Sequence, residues 1–349
     1  MSIFSVSFND PANAYSEFYE DLRSTFEAAG EYWSRYLVGS APIELEVRFD
    51  PSIPTIASAA ATSVAAGTAD GVRVYHQGVA SEMMTGVDPN GAAPDAISTI
   101  GTGYLDRLWF DPDHESRSAP VDPGKIDALS VFMHEIGHMI ALNGWKDPAT
   151  GALPGAYQST FDAKTAVVGD ELAFVGEAAQ AVYGGPVPLS LFASGHLGRP
   201  GDEAASDLMN GVALRTGTRY EISALDVAIM KDAGVAVREP GPGADTLYGF
   251  ATDDRLAGGR GNDTLHGLAG DDVFVYQGTR HRALDGRDEI RDFETGHDIL
   301  RLVGIERRDV DILDSREGTV VDLDGGEVLL AGVHGYRSLA EADGWLEFA

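Results

Sequence analysis

The segment His134-Glu135-Ile136-Gly137-His138 holds the residue types best suited to chemistry. Two histidines at i and i+4 lie one turn apart on one face of a helix, so both imidazoles can reach a single cation. Glu135 is rotated by about 100° from His134 and cannot easily join as a third ligand. It is placed to hold a water. Zinc lowers the pKa of a bound water to about 7 and a carboxylate then takes the proton, which is metal-assisted hydrolysis. Ile126, Leu129, Val131, Phe132, Met133, Ile136 and Ile140 surround the motif. They predict a helix apolar all round, where unpaired imidazoles and a carboxylate are costly to bury. Asp122 is expected to cap it, with Pro123 as its first residue, and Asn143-Gly144 to end it in a left-handed turn.

Such a zinc site needs a third protein ligand. His196, within Ser194-Gly195-His196-Leu197-Gly198, is one candidate. Glu203 is another, in the E-x-x-x-D run Glu203 to Asp207, and Asp207 itself is a third. Neutral imidazole is the commoner partner of a two-histidine site, which favours His196. His76, His114, His266, His281, His297 and His334 show no ligand spacing and read as surface or structural residues.

Residues 120–236 resemble the metzincin zinc endopeptidases. The compact form of that motif has Gly three residues after the second histidine and His three further on; here those positions are Ala141 and Gly144. His196 lies 58 residues after His138, similar to the leishmanolysin-type arrangement with a long insertion before the third ligand. The resemblance implies zinc on His134, His138 and His196, Glu135 as general base, and Met209 as the methionine of the turn beneath the metal. Glu203 and Asp207 resemble instead the second motif of gluzincin proteases. With Ala at 141, the helix is expected to run one turn further, so that a nearby third ligand is out of reach.

The C-terminal part carries an internal repeat. Asp245, Asp254, Asp263 and Asp272 recur every nine residues, each followed two positions later by Leu247, Leu256, Leu265 or Phe274. Glycines precede them, best kept in Gly258–Leu265 and Gly267–Phe274, and sparser in the copy at Gly249. Glycine permits tight turns and exposes carbonyls, aspartate supplies hard oxygen, and the apolar residue points inward. This resembles the nonapeptide repeat of RTX proteins. The resemblance implies a parallel β-roll with calcium between turns two repeats apart, pairing Asp245 with Asp263 and Asp254 with Asp272, helped by the carbonyls of Gly243, Gly259, Gly261 and Gly270. The stretch from Arg287 to Leu300 resembles the segment after the repeats in serralysin-type proteases; its acids read either as completing another calcium site or as an ordinary solvated hairpin, and strands from Val310 to Val333 are expected to extend the roll.

Around these sites the 349-residue chain has 25 Lys+Arg against 55 Asp+Glu, a net charge of −30. That argues against nucleic acid or an anionic membrane as partner. There is no cysteine, which excludes disulfides and thiolate metal sites. The stretch from Ile53 to Ala69 is a poor membrane span. The first basic residue is Arg23, so a cleaved secretory leader is not expected. Asp10-Pro11 is expected to open a helix through Tyr15, Phe18, Leu22, Phe26, Trp33 and Leu37. Ile43 to Phe49 alternates as a strand, with weaker strands at Val72–Val79 and Leu105–Phe110, and Ser223 caps a helix ending at Gly234. The composition shifts at Glu239-Pro240-Gly241-Pro242-Gly243. The fold expected is thus α+β: a metzincin-like zincin domain over 1–236, then an all-β parallel roll over 237–349. With the resemblances, this is the pattern of a secreted zinc endopeptidase with several structural calcium ions, acting on protein or peptide as a monomer. Export by a type I machinery reading a C-terminal signal is implied. Two other readings stay open: an RTX surface or adhesion protein with a vestigial zinc site, and a zinc amidase that does not cleave peptides.

Overall fold

The computed structural model describes residues 3–349 except Ser40, Glu115, Ser116, Ser118, 212–213, 278–285 and 324–325, and omits the side chain of Glu203. His281 therefore lies outside the described residues. The chain divides into two compact units, Met1–Val237 and Arg238–Ala349.

The first unit mixes α and β. Its main sheet has four strands in the order Phe4–Asn9, Ile43–Asp50, Ala96–Gly101, Ala57–Ala61. The first three run parallel, and Ala57–Ala61 lies antiparallel at the edge. Ile43, Leu45 and Val47 are fully buried, as their alternation requires. Among the described residues five α-helices follow the chain: α1 (Tyr19–Ser34), α2 (Gly78–Thr85), α3 (Ala128–Ile140), α4 (Glu177–Tyr183) and α5 (Ala224–Asp232). Helix α1 packs on α3: Phe26 stacks on Phe132 at 3.8 Å between ring centroids, and Trp33 Nε1 donates to Met133 O at 2.8 Å. Ser223 caps α5 through a reciprocal pair with Asp226.

Four local expectations are corrected. Asp10 does not open α1; Phe4–Asn9 is a strand, and Asp10 takes the Tyr15 N–H and the Tyr19 hydroxyl to shape the loop before the helix. Asp122 does not cap α3. It closes a turn by accepting from Gly124 N, while the cap is Asp127, whose carboxylate accepts from Ser130 N at 3.1 Å. Nor does α3 run a further turn: Ile140 is its last residue and Ala141 adopts φ −157°. Gly144 is not left-handed. A Cβ there would lie 2.5 Å from the Ser194 carbonyl carbon, so glycine is needed for close approach to the loop carrying His196.

Asp127 matters because it anchors the start of α3. It follows Ile126 in a two-residue strand parallel to Leu108–Trp109, and is almost wholly buried. Arg117 donates to it at 3.2 Å and also pairs with Glu221, while Ser130 Oγ links it to the backbone of Tyr220.

The second unit is a roll of two parallel-stranded sheets. Thr246–Tyr248 pairs with Thr264–His266, and Arg255–Leu256 pairs with Val273–Gln277, so successive repeats alternate between the sheets. One sheet continues through Gly286–Ile290 and Gly326–Ala331 and ends in antiparallel strands Gly318–Asp322 and Asp311–Asp314. The other continues through Ile299–Val303 to Leu346–Phe348. Leu265, Phe274, Ile290 and Leu300 fill the space between, with Trp345 closing it.

Replacing Asp127 with Ala removes the cap of α3 and leaves the buried Arg117 guanidinium with one carboxylate fewer. Urea unfolding of the zinc- and calcium-loaded chain should show a loss of at least about 2 kcal/mol; a loss within about 0.5 kcal/mol would contradict this account.

Candidate metal centre

Helix α3 presents His134 and His138 on one face, and a separate loop delivers His196. The residue after it, Leu197, forms bridges to both Leu189 and Asn210, and its N–H donates to Met209 O at 2.8 Å. The three Nε2 atoms lie 3.1, 3.1 and 3.2 Å from one another. Their outer nitrogens fix the tautomers. Nδ1 of His134 donates to Leu208 O at 2.8 Å, and Nδ1 of His138 to Leu142 O at 2.5 Å. A carbonyl only accepts, so the protons sit on Nδ1 and the Nε2 lone pairs of these two rings face inward.

Two lone pairs 3.1 Å apart repel unless a cation lies between them. Three nitrogens bound tetrahedrally to zinc at about 2.0–2.1 Å would be about 3.3 Å apart, close to the spacing here. Burial lowers the pKa of all three imidazoles: His196 to about 3, helped by His134, and His138 well below the usual range. Neutral imidazole is the ligand form. The donor set therefore fits zinc.

Asp207, another third-ligand candidate, does not gather here. The carboxylate of Asp207 accepts from Met209 N at 3.1 Å and from Ser223 Oγ at 2.6 Å, which ties the loop to the cap of α5. Glu203 belongs to a 3₁₀ turn, Glu203–Ser206, and its side chain lies outside the described residues. Met209 is fully buried beneath α3. A Cβ at Gly137 would come 2.7 Å from the Met209 sulfur, so the glycine between the two histidines admits the thioether.

Glu135 shares with His134 and His196 a cleft of about 470 Å³. Burial pushes its carboxyl up to about 8. The cleft is also lined by Thr55, Ile56 and Ala57 at the start of the edge strand, and by Tyr104 and Arg107, which the sequence reading had not singled out. Tyr104 donates to Pro54 O at 2.7 Å, and the Arg107 guanidinium lies over its ring.

In the roll, the aspartates form two ladders. Asp263 Oδ1 accepts the Asp245 N–H at 2.9 Å and Asp272 Oδ1 that of Asp254 at 2.9 Å, the pairings expected from the repeat. Each ladder has a further rung: Asp288 Oδ1 accepts from Asp263 N at 2.8 Å and Asp298 Oδ1 from Asp272 N at 3.0 Å. These two belong to the acids of 287–300, which the sequence leaves open between another calcium site and a solvated hairpin; they sit 25 and 26 residues on, off the nine-residue phase. The signal was present: Asp288-Glu289-Ile290 and Asp298-Ile299-Leu300 repeat the aspartate-x-apolar pattern.

The turns between rungs stack closely. Gly259, Gly261 and Gly270 all have positive φ, and a Cβ at Gly261 would collide with Gly243 O. Asp263 Oδ2 is buried without a hydrogen-bond donor. Burial, then the carboxylates of Asp298, Asp254 and Asp292, push Asp272 up to about 7, and burial pushes Asp288 up to about 6. Stacked carboxylate and carbonyl oxygens with an orphaned anionic atom fit a hard cation such as calcium.

Zinc content separates the ligand candidates. His196→Ala should fall from one zinc per chain to near none, whereas Glu203→Ala and Asp207→Asn should keep it; the reverse pattern would move the third ligand. For the roll, Asp263→Asn should raise the calcium needed for its circular-dichroism transition by about tenfold, since ligand charge sets calcium affinity. An unchanged midpoint would remove Asp263 from the site.

The family model of the RTX calcium-binding nonapeptide repeat matches residues 241–265 and 248–276. No curated protein matches the chain. Calcium-binding RTX repeats are thus present in this chain, and they occupy the coils whose aspartates form the ladders.

Proposed function

We propose that the chain is a secreted, calcium-stabilised zinc endopeptidase of metzincin-like architecture, exported by a type I machinery. The observation that carries this reading is the convergence of three Nε2 atoms within 3.1–3.2 Å, beside a buried glutamate in one cleft.

His134, His138 and His196 would hold the zinc, which when bound supplies a Lewis acid and brings a water's pKa near neutrality. Leu208 O and Leu142 O keep the rings of His134 and His138 turned with Nε2 inward. Glu135 takes the proton of the attacking water and passes it to the departing amine. The apolar surroundings of α3 that raise its pKa also keep bulk water away from that proton. Met209 and Gly137 hold α3 against the loop of His196.

The edge strand Ala57–Ala61 favours a peptide over a small amide. A sheet edge takes an extended chain by main-chain hydrogen bonds, and this one begins at the cleft wall. The intact Glu135 speaks against a vestigial site, since a structural zinc needs no base.

The test uses purified full-length protein with zinc and calcium on casein. Glu135→Gln should retain its zinc and lose at least about 10²-fold in rate. Full activity in that variant would overturn the mechanism, and a zinc-loaded wild type that cleaves no peptide bond would overturn the endopeptidase reading.

A further inference from the structure

Outside both metal sets, a group of acids gathers in the first unit; Asp88 Oδ1 accepts from Asn90 N at 2.8 Å and from Gly91 N at 2.7 Å, and no cation pairs with the group among the described residues. Glu82 comes from α2, Asp88 from the loop after it, and Asp95 from the residue before the strand Ala96–Gly101. One oxygen from each lies within 4.8 Å of the others. Glu82 and Asp95 are only 3% and 0% exposed, and Glu82 Oε2 and Asp95 Oδ1 are shut away with no donor to bind. The other Asp95 oxygen accepts from Glu44 N at 2.8 Å, which brings a fourth carboxylate to the group. Among the described residues no Lys or Arg pairs with any of the four. Burial and the charges of Asp95, Asp88 and Glu44 push Glu82 up to about 7.

Buried ionised oxygens without donors are strongly unfavourable, so a positive charge belongs among them. We propose that Glu82, Asp88 and Asp95 form a calcium site in the first unit, separate from the roll. Two ligands of one calcium, each at about 2.3–2.6 Å, lie at most about 4.6–5.2 Å apart, so oxygens all within 4.8 Å of one another can share one ion. An oxygen-only donor set selects a hard cation, and calcium takes such all-protein carboxylate sites more readily than magnesium, which keeps its waters. Asp88 is exposed, which leaves an entry path. The bound ion would tie α2 to the sheet at the point where Asp95 meets Glu44.

A proton shared between Glu82 and Asp95 would relieve the same repulsion without any ion, and the experiment separates the two. Full-length, zinc-supplemented protein is followed by hydrogen–deuterium exchange with and without about 5 mM calcium, above the usual range of extracellular modules. Peptides covering residues 78–98 should exchange about tenfold more slowly with calcium, provided calcium is about ten times its dissociation constant. Asp88→Asn, an exposed substitution expected to fold, should lose that protection while peptides of residues 241–276 keep theirs. Glu82→Gln gives an independent sign. It should make residues 78–98 exchange faster than wild type in calcium and slower without it, because the amide removes repulsion along with a ligand. Calcium-independent exchange of residues 78–98 in the wild type, or slower exchange of Glu82→Gln in both buffers, would overturn the site in favour of the shared proton.

Discussion

Two imidazoles with their protons committed to carbonyls cannot rest with their lone pairs facing at 3.1 Å unless something positive holds them. Much of the first unit converges on that constraint. Helix α3 must be fixed at its start, and its cap Asp127, with Ser130 and Arg117, does this by tying the helix to Tyr220 and Glu221, remote in the chain. It must stop soon after His138 so that Leu142 O can turn back to the His138 ring. The loop of His196 must reach it, and Gly144 permits the approach while Leu197 is pinned by single backbone bridges to Leu189 and Asn210. Gly137 completes the arrangement by leaving room for Met209.

What was legible in the sequence is what has a local period. The i, i+4 histidines and the nine-residue aspartates announce themselves because the spacing in sequence equals the spacing in space. Helix caps were less legible. Asp10 and Asp122 both stand before a proline and look like caps, yet each closes a loop instead. Asp127 won the start of α3 through partners as distant as Tyr220, which no local pattern reveals. Gly144 was identified as special, but for backbone conformation when the reason is close approach. Asp288 and Asp298 stay ambiguous in sequence because the spacing changes, although their aspartate-x-apolar context persists.

The net charge of −30 gains a structural meaning from the roll. Each ladder hydrogen bond sets a carboxylate on the N–H of the aspartate two coils away, so a regular parallel stack necessarily brings like charges into register. Backbone pairing and apolar burial of Leu265, Phe274 and Ile290 favour the stack, while the carboxylates oppose it. Calcium changes the sign of that opposition. Calcium between the coils would neutralise the same aspartates whose hydrogen bonds organise the turns, so ion binding and stacking of the repeats would be coupled.

Without cysteine the chain has only nitrogen and oxygen with which to sort metals. The sorting is done by segregation. Among the described residues the three imidazoles gather with no carboxylate among them, since Glu135 lies a helical step aside and Asp207 is held by Met209 N and Ser223. The aspartate ladders gather, among the described residues, with no imidazole in either column. An all-nitrogen set discriminates against calcium, and an all-oxygen set is a weak competitor for zinc. In a medium where calcium is in large excess, that separation, rather than affinity alone, keeps the hard ion out of the proposed hydrolytic site.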